Sequence, residues 1–127
     1  MFHLEICPLR CIGCTNATGG SSATGVDNNA QFAIQPFYVP GNVAPFVAPA
    51  GTLTSSLRWE SGKATFRTVR GSSARPGAAV VSEHVFTSGV PTPGTELIQF
   101  LFYVVASDQH PMQHESEVVI EKFEYLP

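Results

Sequence analysis

Residues 53–71, LTSSLRWESGKATFRTVRG, decide the fold class, because they hold two segments in which apolar and polar residues alternate. An alternation with a period of two is typical of a β-strand with one buried face. The connection ESGK at 60–63 is short and contains glycine, as the turn of a β-hairpin requires. The stretch therefore predicts two antiparallel strands, at 53–59 and 64–71.

The rest of the sequence after residue 29 likewise consists of short apolar runs separated by turn residues. Further strands are predicted at 30–36, 79–89, 95–106 and 117–127. TELIQFLFYVVA, at 95–106, is apolar on both faces, so we expect it to be a central strand covered on both sides. The prolines of 37–51 restrict that segment to an edge or a loop.

Composition supports one all-β domain. The chain has 127 residues, of which 43% are apolar and 13% charged, with 11 glycines and 10 prolines. This is enough apolar material for a core, and the turn-forming residues argue against a helical bundle. We predict an antiparallel β-sandwich formed by residues 30–127, with the following side chains in its core: Phe32, Ile34, Leu57, Trp59, Phe66, Ile98, Phe100, Leu101, Phe102, Val119 and Phe123.

Residues 1–29 read as a cysteine-containing start followed by a flexible linker, TNATGGSSATGVDNN, at 15–29. Cys7, Cys11 and Cys14 have the CxxxCxxC spacing by which radical enzymes hold an iron–sulfur cluster. A glycine-rich β domain of this length does not supply the barrel that such an enzyme needs. The three thiols are therefore weak candidates for a metal site, and we expect no cofactor.

Charge and hydropathy restrict the partners. The net charge of −3 argues against a protein that coats nucleic acid. No apolar stretch reaches the length of a membrane span. The start, MFHLEICPLRCIGC, is interrupted by charged residues and proline, so it is no secretory signal, and the chain as written is expected in the cytoplasm.

Four segments together resemble a known family. NNAQFAIQP (28–36), SSLRWESGKATFRTVRG (55–71), LIQFLFYV (97–104) and EVVIEKFEYLP (117–127) are similar, in this order, to the later strands of concanavalin A-like lectin/glucanase domains of the family sixteen glycoside hydrolase type. The resemblance covers 28–127 and implies a jelly-roll-like sandwich with a concave saccharide cleft. Members of this family are usually secreted.

The catalytic strand of that family carries three acids in the pattern ExDxxE, and it lies upstream of the strands that this chain resembles. The matching region here reads LEICPLRCIGC, in which Glu5 is the only acid, and Cys7 and Arg10 occupy the other two positions. A retaining glycosidase needs two carboxyl groups about 5 to 5.5 Å apart. The resemblance therefore implies the fold without the hydrolysis, in a domain that lacks its earlier strands.

Four residues are candidates for carbohydrate binding. Gln31 and Gln35 lie on the polar face of the strand beside the position of the catalytic strand, and Arg58 and Arg67 on the hairpin would suit an anionic glycan. The alternatives are a solvated strand face for the glutamines and, for the arginines, ion pairs with acids of the C-terminal strand, namely Glu115, Glu117, Glu121 and Glu124.

Three functions remain open at this point. The first is a non-catalytic carbohydrate-binding domain, the remnant of a glucanase. The second is a structural domain without a small ligand, and the third is a weak β-glucan hydrolase with acids recruited from elsewhere, such as Glu83 or Glu96. Because the strand at 95–106 needs cover on both faces, we also expect a homo-oligomer, with residues 1–29 either disordered or used as substitute cover.

Overall fold

The chain is built from β-strands. The computed structural model describes residues 2–7, 12–16, 28–72, 75–94, 97–102 and 117–126, with the backbone alone in the first two ranges and in 97–102. The strands are β1 (Phe2–Cys7), β2 (Ile12–Asn16), β3 (Ala30–Ile34), β4 (Val43–Phe46), β5 (Leu53–Glu60), β6 (Lys63–Arg70), β7 (Val80–Phe86) and β8 (Leu97–Phe102). These ranges include no helix, and so none long and apolar enough to cross a membrane. The predicted all-β class is confirmed.

The larger of two antiparallel sheets has five strands, in the order β4-β3-β2-β1-β8. Strands β1 and β2 lie in its interior, and Thr15 and Asn16, which the sequence assigns to the linker, form the end of β2. Strand β4 contains Pro45 and lies at an edge, as predicted. In the part of the chain that is described, β8 pairs with β1 alone, and its central position with cover on both faces stays a prediction.

The smaller sheet has three strands, in the order β5-β6-β7. Strands β5 and β6 form the predicted hairpin, with Glu60 opposite Lys63 and Ser61-Gly62 between them. Gly62 has a φ of +72°, a left-handed conformation that glycine adopts without strain. The pairing of β6 with β7 shifts register between Thr68 and Val69, which marks a bulge.

Aromatic side chains connect the two sheets. Phe32 of β3 stacks on Phe66 of β6 with ring centroids 5.2 Å apart, and it also contacts Phe46 of β4 at 4.5 Å. Phe66 meets Phe86 of β7 edge-on. Burial confirms three of the predicted core residues, Phe32, Ile34 and Phe66, and two more, Leu57 and Trp59, pack against them half-buried. The prediction missed Ala30, Phe46, Ala64 and Phe86.

The predicted core residues of β8 are placed by register. Ile98, Phe100 and Phe102 pair through β1 and β2 with residues on the face of the sheet that carries Phe32. Leu101 has the opposite parity and falls on the other face. The burial of these four side chains lies outside the described part of the chain.

The C-terminal segment corrects the prediction most clearly. Residues 117–126 form no strand, although the sequence predicts one at 117–127. Val119 is 71% exposed and Phe123 49% exposed, so neither belongs to the core in which the sequence places it. The valines and aromatic residues of the segment predicted a strand there, but a strand also needs a neighbour to pair with, and residues 117–126 pair with none among the described strands.

Candidate functional site

A cleft of about 880 Å³ lies between the loop that follows β3 and the end of β7. Its first wall comes from 35–42 and its second from 84–89. The lining includes amide, imidazole and hydroxyl groups beside apolar surface, from Gln35, Asn42, His84, Thr87 and Ser88 together with Pro36, Val39 and Phe86. A concave site with a few polar groups on an apolar lining is the usual form of a small-ligand site.

The first wall is held in shape by its own hydrogen bonds. The Gln35 side-chain oxygen accepts a hydrogen bond from the Phe37 backbone N–H at 2.9 Å. Asn42 is nearly buried, and its side-chain amide donates to the Pro36 carbonyl at 3.0 Å. Its backbone N–H donates to the Val39 carbonyl, and its carbonyl accepts from the Ile34 N–H. The loop is thus tied both to itself and to the end of β3.

The second wall begins on a rigid strand. His84 lies edge-on to Phe86 with ring centroids 4.4 Å apart, and Phe86 belongs to the core. Gly89, with a φ of +68°, lies where the two walls approach each other, since a Cβ atom there would be 4.0 Å from the Asn42 Oδ1 atom. The cleft therefore joins a strand from each sheet.

Two exposed aromatic rings lie beside the cleft. Phe37 and Tyr38 are 62% and 77% exposed, and they fall between the lining residues Pro36 and Val39. Their rings contact each other edge-on, with centroids 5.9 Å apart. Such neighbouring exposed aromatic rings are a feature of interaction sites on protein surfaces.

The described residues that line this cleft carry no carboxylate. Glu83 is next to His84 in the sequence, but successive residues of a strand point to opposite faces, and Glu83 contacts Arg67 instead. The lining can accept and donate hydrogen bonds and can cover apolar surface. It lacks the paired acids by which glycosidases cleave their substrates.

The structure does not bring the four predicted binding residues together. Gln35 lines the cleft, whereas Gln31 lies on β3 opposite Thr15 and Pro45, on the other face from Phe32. Arg58 and Arg67 lie on the three-stranded sheet, on β5 and β6. A shared parity in the sequence placed the glutamines together, but β3 ends at Ile34 and the chain turns there, which separates them.

The two arginines make ion pairs within their own sheet. Arg58 lies 3.2 Å from Glu60, and the Nε atom of Arg67 lies 3.5 Å from Glu83. In the part of the chain that is described, neither pairs with a C-terminal acid, and Glu124 instead pairs with Lys122. The predicted pairing with Glu117, Glu121 and Glu124 is therefore wrong, while Glu115 and Glu96 lie outside the described residues.

Register separates two of the three cysteines. Cys14 lies opposite Leu4 and Phe32, on the face of the five-stranded sheet that carries the core, whereas Cys7 has the opposite parity on β1. Cys11 lies outside the described residues, among which no group of three metal-ligating side chains occurs.

Sequence reasoning missed most of the cleft. It treated FYVPGNVAPFVAPAG as a proline-rich connection and did not consider what Phe37, Tyr38 and Asn42 could do. The available signal was the pair of aromatic residues between Pro36 and Pro40, since large rings in a turn cannot all reach the core.

Comparisons with known protein families, curated proteins and solved structures find no match to this chain. The resemblance to concanavalin A-like domains therefore remains a prediction, and the cleft has to be interpreted from its own residues.

Proposed function

We propose that the chain is a non-catalytic carbohydrate-binding domain that holds an oligosaccharide in the cleft between 35–42 and 84–89. The observation that carries the proposal is the combination of this cleft with the exposed rings of Phe37 and Tyr38 at its side. A sugar ring presents one apolar face of C–H groups and a rim of hydroxyl groups. An aromatic ring can cover the face while amide and hydroxyl side chains bind the rim.

The proposal includes the finer description of the fold, a β-sandwich of the jelly-roll-like, concanavalin A-like kind. Contacts between the sheets support it, because Phe32 of the five-stranded sheet stacks on Phe66 of the three-stranded sheet. The alternation along β3 supports it as well, since Phe32 and Ile34 are fully buried while Gln31 and Ala33 are not.

The shape of the first wall favours binding. A loop tied by the Gln35 and Asn42 hydrogen bonds loses little conformational entropy when a ligand orders it. Gln35 is also the one predicted binding residue that lines the cleft, with its side-chain oxygen already fixed by the Phe37 N–H. Binding without hydrolysis is consistent with a lining that, among the described residues, carries no carboxylate.

The test is titration calorimetry of the full chain with oligosaccharides of laminarin, lichenan and agarose. We expect Tyr38→Ala to lower the affinity about tenfold or more, because it removes an exposed ring beside the cleft without touching the core. Tyr125→Ala is the matched control, since Tyr125 is 74% exposed and lies outside the cleft lining. It should leave the affinity unchanged.

Two results would overturn the proposal. One is the absence of binding to all three polysaccharides, which would favour a structural domain without a small ligand. The other is release of reducing sugar that a single Glu83→Gln change abolishes, which would favour the weak hydrolase.

A further inference from the structure

Two arginines lie close together on the outer face of the three-stranded sheet, which is the face opposite the core. Leu57 and Trp59 pack against the core from β5, and Phe66 belongs to the core on β6. Successive residues of a strand point to opposite faces, so Arg58 and Arg67 both lie on the outer face. The fold therefore brings together two cations that are nine positions apart in the sequence.

Two hydroxyl residues complete a group of four, which we call the outer patch. Arg58 lies opposite Thr65, and Ser56 lies opposite Arg67. The arginines thus occupy one diagonal of a quadrilateral, and the hydroxyl residues occupy the other. In an antiparallel pair, opposite Cβ atoms are about 5 Å apart and diagonal residues about 7 to 8 Å apart, which long side chains can span. One small ligand above the patch is within reach of both guanidinium groups.

Arg67 is held only loosely by its acidic neighbour. Its Nε atom lies 3.5 Å from the Glu83 carboxylate, whereas a charge-assisted hydrogen bond measures about 2.7 to 2.9 Å. The same Nε atom is shielded from solvent and has no hydrogen-bond acceptor within the described residues. Folded proteins normally provide an acceptor for a shielded donor. The guanidinium group of Arg67 therefore has capacity for a further negatively charged acceptor.

Arg58 and Ser56 also have donors to spare. The Arg58 side chain is 78% exposed and contacts Glu60 through one terminal nitrogen at 3.2 Å. A guanidinium group carries five N–H donors in a planar fork, so most of those of Arg58 face solvent. The Ser56 hydroxyl donates only a long hydrogen bond, 3.4 Å, to the Arg67 carbonyl. A ligand with several acceptor oxygens can replace these weak contacts.

The charge of the outer face also favours an anion. Arg58, Lys63 and Arg67 contribute three positive charges, and Glu60 and Glu83 contribute two negative ones, which gives a net charge of +1. The whole chain has a net charge of −3. This face is therefore positive within an acidic protein, and an anion is attracted to it.

We propose that the outer patch binds a tetrahedral oxyanion, either sulfate or phosphate, as the free ion or as an ester group. The oxygens of such an ion can accept hydrogen bonds from two guanidinium groups and from hydroxyl groups at the same time. The inference does not depend on the proposed carbohydrate site, because none of the four residues of the outer patch lines the cleft.

The first test follows the arginine Nε–H signals of the full chain by proton–nitrogen correlation NMR. Inorganic sulfate, and in a second series inorganic phosphate, is added at low ionic strength, with potassium chloride at matched ionic strength as the control. We expect the signals of Arg58 and Arg67 to shift and to saturate at millimolar oxyanion. The signal of Arg70 should not shift, because Arg70 lies on β6 with the opposite parity to Arg67.

The second test measures sulfate affinity in variants by the same titration, followed through backbone amide signals. Arg58→Ala and Arg67→Ala should each weaken binding at least about fivefold. Arg70→Ala is the matched control, since it removes an equal charge from the same strand as Arg67, and it should change the affinity less than about twofold. Circular dichroism checks that each variant keeps its strand content.

The acid beside the patch provides a test with the opposite sign. Glu83→Gln removes the carboxylate that competes for Arg67, so we expect sulfate to bind at least about twofold more tightly. Glu117→Gln makes the same change of charge outside the three-stranded sheet and should have a smaller effect. This test does not require the removal of either arginine, so it holds even if an arginine variant fails to fold.

A further titration with phenyl sulfate and phenyl phosphate distinguishes the source of the oxyanion. Esters that bind at least as tightly as the free ions support a group carried on a larger molecule. Esters that bind more weakly support the free ion, and both results are consistent with the outer patch.

Three results would overturn the inference. The absence of a saturable shift at Arg58 and Arg67 with both sulfate and phosphate excludes the site. Equal losses of affinity in Arg58→Ala and Arg70→Ala would show an adventitious ion only, attracted by net charge. A Glu83→Gln variant that binds sulfate no more tightly than Glu117→Gln does would exclude Arg67 as a ligand.

Discussion

Strand β3 and the C-terminal segment 117–126 have similar sequence patterns and different structures. Both contain β-branched or aromatic residues, which favour strands, in AQFAI for the first and EVVIEKFEYL for the second. Phe32 of β3 is fully buried, whereas Val119 of the C-terminal segment is 71% exposed. The first is a strand, and the second is not.

The difference shows that residues with high strand propensity do not by themselves form a strand. Strand β3 has β2 and β4 on its two sides, and across the sheets Phe32 stacks on Phe66. These neighbours provide the hydrogen bonds and the apolar surface that make a strand stable. Residues 117–126 also have high strand propensity, but they pair with none of the described strands.

The largest effect should come from the contact between the sheets. Phe66→Ala removes a ring that is 2% exposed, stacks on Phe32 and meets Phe86 edge-on, and it leaves a cavity between the sheets. We expect a loss of about 3 to 5 kcal/mol in the free energy of unfolding, enough to unfold a marginal domain. Urea denaturation followed by circular dichroism measures it.

Val119→Ala is the control for this comparison. Val119 is 71% exposed, so this substitution should change the free energy of unfolding of the protein by less than about 0.5 kcal/mol. Equal losses at Phe66 and Val119 would show that the two regions do not differ as described.

A smaller effect is expected at the margin of the core. The Trp59 indole N–H donates to the Pro91 carbonyl at 2.8 Å, which ties β5 to the segment after β7. Trp59→Phe removes this bond and part of the ring, and we expect a loss of about 1 to 2 kcal/mol. Tyr125→Phe is the exposed counterpart and should change the free energy of unfolding very little, since Tyr125 is 74% exposed.

The sequence predicted the parts of the fold that depend on neighbours close in the chain. The hairpin of β5 and β6 follows from alternation and a two-residue turn, and Phe32, Ile34 and Phe66 follow from parity. Pairing between distant segments was not predictable in the same way. The interior position of β1 and β2 depends on which strands meet, and the pattern of one strand does not contain that information.

Fewer residues of the candidate site than of the fold were predicted, because the cleft also depends on residues that are distant in the sequence. Gln35 was predicted because it shares parity with Gln31 in the strand expected at 30–36. The cleft also contains Asn42, from the loop after β3, and His84, from β7 of the other sheet. Arg58 and Arg67 were grouped with it through charge, yet each has a nearby acid on its own sheet. Residue type indicates what a side chain can bind, and tertiary structure decides which side chains meet.

A further prediction concerns the loop that forms the first wall. Asn42→Ala removes the amide that donates to the Pro36 carbonyl, and we expect a loss of about 1 kcal/mol in stability. Because the loop shapes the cleft, the same change should lower saccharide affinity by more than Asn29→Ala does. Asn29 makes comparable bonds to the Ala48 backbone, at 2.9 and 2.6 Å, outside the cleft lining, so it controls for the loss of an amide.

The smallest effects should come from the two ion pairs of the three-stranded sheet, and they differ in a way that burial explains. The side chains of Arg58 and Glu60 are 78% and 44% exposed, so water and salt screen their attraction. The Arg67 side chain is only 30% exposed, and its Nε atom is shielded from solvent and makes no hydrogen bond within the described residues.

Double-mutant cycles should therefore give a coupling energy near zero for Arg58 with Glu60 and about 0.5 to 1 kcal/mol for Arg67 with Glu83. The measurement is made at low and high salt, because screening by salt should act on the exposed pair first. A coupling energy that is larger for the exposed pair, Arg58 with Glu60, than for Arg67 with Glu83 would contradict the burial argument.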